Sequence, residues 1–196
     1  METRIENDHN ETIVGILVEK ETYPKKLVLI AHGEFGDKNS LYQPLLAEQL
    51  PYSTFRFDFR GHGDSHGQTG YANMAEDVQD LHTVADYFEN RGYDIMAVIA
   101  HSRGSTAGLK YATTCDKPLS HYVNIAGRYI MNDYGIHMHS PEVQEALNRQ
   151  TKQNGKTFVI KVTAADLEKI KQWDSSHVSR MPKSTCVLTC HGLKDT

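Results

Sequence analysis

Short apolar runs alternate along the chain with longer segments in which apolar residues recur at helical spacing. The short runs are rich in β-branched residues, which is typical of strands, and their alternation with helical segments is typical of α/β proteins. Several runs are continuously apolar, which favours central parallel strands covered on both faces. The predicted strands are residues 13–18, 27–31, 54–57, 95–100, 121–125 and 185–189.

One helix is marked between the predicted strands 54–57 and 95–100. Its apolar residues follow one another at spacings of four and three, so they share one helical face directed at a core. They are Met74, Val78, Leu81, Ala85 and Phe88. Asn73 is predicted to cap the helix N-terminus, with Glu76 completing a capping-box pattern, and the helix is predicted to end near Gly92.

Residues 129–182 are more polar than the rest of the chain and separate two predicted core strands. An insertion of this kind predicts a lid or cap over one end of the sheet, and a peripheral subdomain that only adds packing is the alternative. We therefore divide the chain into an α/β core at 1–128, a cap at 129–182, and a last core strand with its loop at 183–196.

Within the cap, the sequence predicts a helix, a strand and a second helix. The first helix is expected over residues 141–153, because a Ser-Pro pair is a typical helix start and Gly155 suits its end. The strand is expected over 157–162. The short second helix is expected after Thr163, which is followed three positions later by an aspartate.

Composition excludes several classes of protein. The 196 residues fit one globular domain, and 39% apolar with 23% charged residues is neither a low-complexity nor a disordered composition. No apolar run approaches the roughly 20 residues of a membrane helix, so no membrane span is expected. Residues 1–10 are polar and acidic, unlike a secretory signal, and we expect a cytoplasmic protein.

Charge and cysteine content narrow the partners further. The formal net charge is -4 and no basic patch is visible, so neither nucleic acid nor an anionic membrane is expected as a partner. Cys115, Cys186 and Cys190 form an odd set, which predicts buried free thiols rather than disulfides. Cys186 and Cys190 also lack the second ligand pair of a structural zinc site.

The clearest chemical signal is a serine between two small residues at the end of the predicted strand 95–100. Ala100, Ser102 and Gly104 form a small-x-Ser-x-Gly pattern, and a helical segment follows. A nucleophilic serine on a strand-to-helix turn needs small neighbours, because the backbone doubles back closely there. We therefore predict Ser102 as a nucleophile, with an ordinary helix-cap serine as the alternative.

A serine nucleophile also requires two backbone N–H groups that stabilise an oxyanion. One is expected from Arg103, which follows the serine. The other is expected from the glycine-punctuated loop after the predicted strand 27–31, with Glu34 as the first choice and Phe35 as the second. Taken alone, this loop would be interpreted as a plain strand-ending turn.

The third feature is an aspartate in the loop after the predicted strand 185–189. In hydrolases whose triad runs serine, acid, histidine along the chain, Asp195 stands where the acid belongs. It would orient and stabilise the imidazolium that forms when a histidine takes the serine proton. Without Ser102 upstream, a structural turn aspartate would be the preferred interpretation.

Together these motifs resemble those of the α/β-hydrolase superfamily, and more narrowly those of serine aminopeptidase-like and feruloyl-esterase-like serine hydrolases. The resemblance covers nearly the whole chain and rests on residues 32–33, 58–65, 100–105, 124–129 and 191–195. It implies hydrolysis of a small-molecule ester, thioester or amide through an acyl-serine. It implies no metal and no organic cofactor.

The resemblance also implies a catalytic histidine after the acid, yet no histidine follows His191. We therefore expect that about 40 to 45 residues of the fold, with a strand and a covering helix, are missing after Thr196. The alternative is that the chain is a catalytically inactive binding module, or a non-functional fragment, without a triad histidine.

The other histidines are poor candidates for the base. His101 is expected on the side of the strand end opposite to the serine, since successive side chains alternate. His32 is expected to hold the oxyanion loop by a hydrogen bond. His137 and His139 have no third ligand nearby in sequence, so solvated cap residues are a better interpretation than a metal site.

Residues 58–65 are expected to hold their own loop by internal hydrogen bonds.

Two further features bear on the substrate. Arg128 could bind a substrate carboxylate or pair with Asp58 or another acid, and the sequence leaves this open. The cap entrance is moderately apolar, which favours a small or medium acyl ester. Its residues are Tyr129, Met131, Tyr134 and Met138.

Overall fold

A seven-stranded sheet is the centre of the computed structural model, which describes residues 1–131, 149–153, 155–160 and 162–192. Its strands are β1 (Glu2–Glu6), β2 (Thr12–Val18), β3 (Lys26–Ala31), β4 (Ser53–Phe57), β5 (Asp94–His101), β6 (His121–Ile125) and β9 (Cys186–Cys190). They lie in the order β1-β2-β4-β3-β5-β6-β9. Both pairings of β2 are antiparallel and all others are parallel, so the predicted α/β class with a mostly parallel sheet is confirmed.

Helices cover both faces of this sheet. Among the described helices, α1 (Gln43–Gln49) covers one face, and α2 (Met74–Glu89) and α3 (Arg103–Ala112) cover the other. Helix α4 (Ala164–Lys171) and a 3₁₀ helix at Ser176–Arg180 follow later in the chain. None of these helices is long and apolar enough to cross a bilayer.

Alternating side chains of β3 show how the two faces are divided. Leu29 packs into the cluster that contains Leu81 of α2 and Ala107 of α3. The next residue, Ile30, packs on the other face with Ala47 of α1. This period of two is the normal result of strand geometry, and each fully buried aliphatic side chain contributes about 1.5–3 kcal/mol. The C-terminal ends of the parallel strands are thereby fixed between two helical layers.

Strand β9 lies at one edge of the sheet and pairs with β6. Its residues are all exposed, with Val187 at 48% and Leu188 at 56%. The prediction of buried thiols is therefore wrong for Cys186 and Cys190, because the described helices leave this strand open to solvent. Cys115 is half-buried.

Most predicted core elements are found with small shifts. Strand 121–125 has the predicted bounds, β9 begins one residue later than predicted, and β1 and α1 were not predicted. Asn73 does precede α2, but its side chain accepts no hydrogen bond from the first turn, so the predicted cap is wrong. Its backbone, with φ -88° and ψ 46°, is not in the extended conformation that capping requires.

The cap segment differs more from its prediction. Residues 141–148 lie outside the described residues, but the predicted helix is wrong over its last part, where β7 (Arg149–Gln153) pairs antiparallel with β8 (Lys156–Ile160). Gln153 lies opposite Lys156, and Gly155 between them takes a φ of 73°, which suits a two-residue hairpin turn. The division into core and cap stays a prediction.

The predicted short helix after Thr163 is confirmed as α4. Thr163 and Asp166 form a reciprocal capping box, in which the Asp166 N–H donates to the Thr163 hydroxyl at 3.2 Å. Leu167 and Ile170 of this helix are buried in a separate cluster with Tyr71 and other apolar residues ahead of α2. Helix α4 is thus packed beside the C-terminal ends of the sheet strands.

Candidate active site

Ser102 lies on the sharp turn between β5 and α3. Its φ of 50° and ψ of -120° are unusual for a residue with a side chain and carry a cost of about 1–3 kcal/mol. The turn is held by the Ser102 N–H, which donates to the Ile125 carbonyl at 2.8 Å. The serine is half-buried. This is the strained strand-to-helix geometry that the small-x-Ser-x-Gly pattern predicts.

The small residues around Ser102 are explained by close backbone approaches. A Cβ on Gly104 would lie 2.2 Å from the His32 carbonyl oxygen, because the start of α3 passes directly over the end of β3. A Cβ on Gly33 would lie 2.7 Å from His101 Nδ1 and 3.1 Å from the Ser102 Cβ. Larger side chains at either glycine would push the β3 loop away from the serine.

The loop after β3 turns back on itself directly beside Ser102. The Gly36 N–H donates to the Gly33 carbonyl at 3.1 Å, and Phe35 takes a φ of 57°. Such a φ is uncommon for a bulky residue, so tertiary contacts must hold it in place. Phe35 packs against the apolar cluster that includes Leu167 of α4.

His32 fixes the base of this loop, as the sequence predicts. Its Nδ1 lies 2.7 Å from the Gly33 carbonyl oxygen, and the Phe59 N–H lies 3.1 Å from its Nε2. Nδ1–H therefore donates and Nε2 accepts, which defines a neutral ring. Burial lowers the pKa of His32 to about 4, so the ring stays neutral at physiological pH. Both nitrogens are occupied, and His32 is not available as a base.

Two backbone N–H groups beside Ser102 have no acceptor among the described residues. They belong to Glu34 and Arg103, the two residues predicted for the oxyanion hole. Both residues line one cavity together with Ser102. The arrangement has the donor pair that an oxyanion needs, although the assignment itself stays a prediction.

The cavity in front of Ser102 has a volume of about 80 Å³. Apolar side chains make up half of the residues in its described walls. They are Tyr71, Met74, Ala126, Met131 and Ile170. Tyr71, Met74 and Ile170 are not apparent as site residues from sequence, since Met74 lies on the core stripe of α2 and the other two have no motif.

Arg128 is exposed and also lines the cavity. Its Nε donates to the Ile130 carbonyl at 3.1 Å. Pairing of Arg128 with Asp58 is wrong, because Asp58 is occupied by Lys38, while pairing with another acid stays a prediction. The Lys38 Nζ and backbone N–H each lie 2.6 Å from an Asp58 oxygen. The position of Arg128 is compatible with an anionic substrate group.

The 58–65 loop is held by its own polar groups, as expected. The Asp64 N–H donates to Asp58 at 2.8 Å, and the Ser65 hydroxyl donates to the Asp58 carbonyl at 2.7 Å. Asp58 is fully buried, so its carboxylate needs these partners. The motif therefore holds the loop beneath His32 and does not reach the cavity.

None of the histidines in the described ranges lines the Ser102 cavity. His101 follows the alternation of β5 onto the α1 face, where its ring lies 6.1 Å from that of Tyr42. His62 is buried, and burial lowers its pKa to about 3. The His177 Nδ1–H donates to the Asp174 carbonyl, 2.8 Å away. The described residues therefore leave the general base unassigned.

Asp195, His137 and His139 lie outside the described residues. Whether Asp195 serves as the acid therefore stays a prediction. Within the described ranges, no group of three or more His, Cys, Asp and Glu side chains is placed to hold a metal ion.

Comparison with known proteins decides the family. The family model for serine aminopeptidase, S33 matches residues 22–184, which is most of the chain. The chain belongs to this serine aminopeptidase S33 family. An uncharacterized protein of Saccharomyces cerevisiae, YDL057W, is 30% identical over 195 residues, covering 87% of this chain. The chain spans 59% of the length of that yeast relative.

Solved structures confirm the α/β-hydrolase fold of this family member. Est1E from Butyrivibrio proteoclasticus, solved with ferulic acid, is 15% identical with a TM-score of 0.69, covering 97% of this chain and 89% of that one. The esterase PF2001 from Pyrococcus furiosus is 15% identical with a TM-score of 0.66, covering 97% and 81%. The esterase EaEST from Exiguobacterium antarcticum is 20% identical with a TM-score of 0.52, covering 65% and 46%.

Proposed function

We propose that this protein is a serine hydrolase that cleaves a small or medium acyl ester through an acyl-enzyme at Ser102. The observation that carries the proposal is the placement of Ser102. It lies on a strained turn and lines a partly apolar cavity together with Glu34 and Arg103, whose backbone N–H groups have no acceptor among the described residues. A helix-cap serine would have no need of this strain.

In the proposed reaction the Ser102 hydroxyl attacks the ester carbonyl carbon. A histidine base takes the hydroxyl proton, and the carbonyl oxygen becomes an oxyanion that accepts from Glu34 N–H and Arg103 N–H. Collapse of this intermediate releases the alcohol, which receives the proton from the imidazolium. Water then attacks the acyl-serine by the same route, and Asp195 is proposed to orient the histidine.

We place the base outside the described residues, in polypeptide that continues beyond Thr196. Two observations support this. None of the described histidines lines the Ser102 cavity, and β9 is an edge strand with exposed apolar residues next to the ends of the site strands. His137 and His139 are the competing sources, and His→Ala variants at these positions separate the two options.

The apolar walls favour an uncharged acyl group, and the limited space favours a short one. The Arg128 guanidinium, which lines the cavity, would bind an anionic substituent on the leaving group. The enzyme is proposed to act in the cytosol, without a metal or an organic cofactor.

The test compares hydrolysis of p-nitrophenyl acetate, butyrate and octanoate by the full-length gene product and by residues 1–196. The full-length product should hydrolyse the shorter esters, and Ser102→Ala should abolish this while Ser120→Ala, an exposed serine outside the cavity, should not. Loss of the triad histidine costs on the order of 10⁶ in turnover, so residues 1–196 should be nearly inactive. Turnover that survives Ser102→Ala would contradict the proposal.

One observation favours a second function, a binding module without turnover. The described cavity has a serine and two free donors but no histidine. Under this alternative the full-length product would bind an ester or its acid, with saturable protection of the fold, and would show no Ser102-dependent hydrolysis.

A further inference from the structure

The side chain of Arg103 connects three separate segments around the candidate site. Its Nη1 lies 2.9 Å from Glu34 Oε2 in the loop after β3, and its Nε lies 2.6 Å from Asp77 Oδ2 of α2. Nη1 also donates to the carbonyls of Gly70 and Tyr71, at 3.0 and 2.8 Å. One guanidinium therefore joins the turn that carries Ser102 to the loop after β3, to the segment at Gly70 and Tyr71, and to helix α2.

Burial makes these contacts difficult to replace with water. The side chains of Arg103, Asp77 and Glu34 are 7%, 3% and 18% exposed. Burial alone would lower the pKa of Arg103, but the Asp77 and Glu34 carboxylates outweigh it and raise that pKa, so the guanidinium remains charged. A charge buried this deeply persists only when it is paired.

The same two residues provide both candidate oxyanion donors. Glu34 and Arg103 are ion-paired through their side chains, both residues line the Ser102 cavity, and their backbone N–H groups have no acceptor among the described residues. Phe35 meanwhile holds the loop in a strained conformation, and one turn hydrogen bond from Gly36 spans it. The loop therefore depends on an outside anchor to keep the Glu34 N–H in place.

We propose that the Arg103 guanidinium is a positioning group that sets the separation of the two oxyanion donors by holding Glu34 and Asp77. This inference rests on the proposed serine-hydrolase function and adds to it a role for a side chain that does not touch the substrate. Asp77 belongs to the long helix α2 and is expected to keep its position. Glu34 lies in a loop and is expected to move when its ion pair with Arg103 is broken.

The expected effect falls on the rate of the chemical step. Complete removal of one oxyanion donor costs about 10²–10³ in kcat in other enzymes, so displacing one should cost about 10–100-fold. KM should change by no more than about 3-fold, because the donors bind the transition state better than the ground state.

The test uses Glu34→Gln and Arg103→Lys, with Asp80→Asn as the matched control. Asp80 also lies on α2 and also binds a buried arginine, with Arg60 Nη2 2.7 Å away, but neither partner reaches the Ser102 cavity. For each folded variant of the full-length product, kcat and KM are measured, and the amide resonances of Glu34 and Arg103 are followed by NMR. Glu34→Gln should lower kcat 10–100-fold and shift the Arg103 amide resonance, and Arg103→Lys should lower kcat by as much and shift the Glu34 amide resonance. Asp80→Asn should do neither.

If all three variants lose stability alike while kcat and both amide resonances stay unchanged, the ion pairs are merely structural and the inference is overturned. The NMR comparison needs no turnover. Should the wild-type product show no Ser102-dependent hydrolysis, the proposed function fails. Resonances that shift only in Glu34→Gln and Arg103→Lys would then still support the positioning role, and unshifted ones would overturn it.

Discussion

Gly104 lies so close to His32 that a Cβ on the glycine would be 2.2 Å from the His32 carbonyl oxygen. The contact joins the first turn of α3 to the end of β3. It brings the residue after Ser102 and the loop containing Glu34 to the same edge of the sheet. The glycine two positions after the serine is therefore required by packing between two elements, and this requirement can be measured separately from catalysis.

Gly104→Ala should destabilise the protein by about 1–3 kcal/mol, because the new methyl group meets a backbone oxygen that cannot rotate away. Urea denaturation measures the loss. The control is Gly108→Ala on the same helix, where a Cβ would meet only side chains, the nearest being Tyr122 at 3.2 Å. That control should stay within about 1 kcal/mol of wild type, helped by the higher helix propensity of alanine. Equal losses of unfolding free energy in the two variants would mean that the close approach of residue 104 to the His32 carbonyl adds no cost of its own.

The backbone strain at Ser102 gives a second prediction. Ser102→Gly should be more stable than Ser102→Ala by about 1 kcal/mol, because glycine accepts a φ of 50° without a Cβ penalty. Both variants lack the hydroxyl, so lost hydrogen bonding cancels in the comparison. The measurement is the difference in free energy of unfolding. If the alanine variant is equally stable or more stable, the turn does not store strain in the folded protein.

The buried histidines predict a particular pH dependence of stability. The pKa of His32 is about 4 in the folded protein, against an ordinary value of 6.5. Because the folded pKa is the lower one, the stabilisation is fully present above pH 6.5 and is lost as the pH falls towards 4. The loss through His32 should reach about 2–3 kcal/mol at pH 4.5. Asp80 gives the opposite pH dependence of stability. Burial raises its pKa to about 6, so its contribution to stability increases as the pH falls.

His32→Gln isolates this contribution from the opposing one. At pH 7 the variant should be less stable than wild type, because the Phe59 N–H loses its well-placed acceptor. On going to pH 4.5, this difference in free energy of unfolding (the gap) should shrink or reverse, since glutamine does not titrate. Urea titrations of both proteins at a series of pH values measure the gap. A gap that stays constant between pH 7 and 4.5 would show that His32 is not held neutral by burial.

The central strands and the serine turn could be predicted because their signals are local. The runs that became β3 and β5 are continuously apolar, and Ala100, Ser102 and Gly104 stand together in the sequence. Strand β1 was missed because its five residues, Glu2–Glu6, are mostly polar and only Ile5 is buried in the core. Its pairing with β2 is a tertiary effect that a local pattern does not show.

The errors in the cap and at Asn73 are of different kinds. In residues 149–153 the helical signal was outweighed by pairing with β8 around Gly155, whereas at Asn73 the backbone dihedral angles differ from those of a typical capping residue. Asp77 does carry a signal in the sequence. It is a carboxylate three positions after Met74, on the apolar face of a helix, which marks a buried ion pair.

The most direct test of Ser102 as the nucleophile is covalent labelling with a fluorophosphonate, followed by peptide mass spectrometry. The full-length gene product should carry one adduct, on the peptide that contains Ser102, and Ser102→Ala should carry none. Circular dichroism of the same samples establishes that both are folded. A folded full-length protein that stays unlabelled, or that keeps its label in Ser102→Ala, would contradict the assignment of Ser102 as the nucleophile.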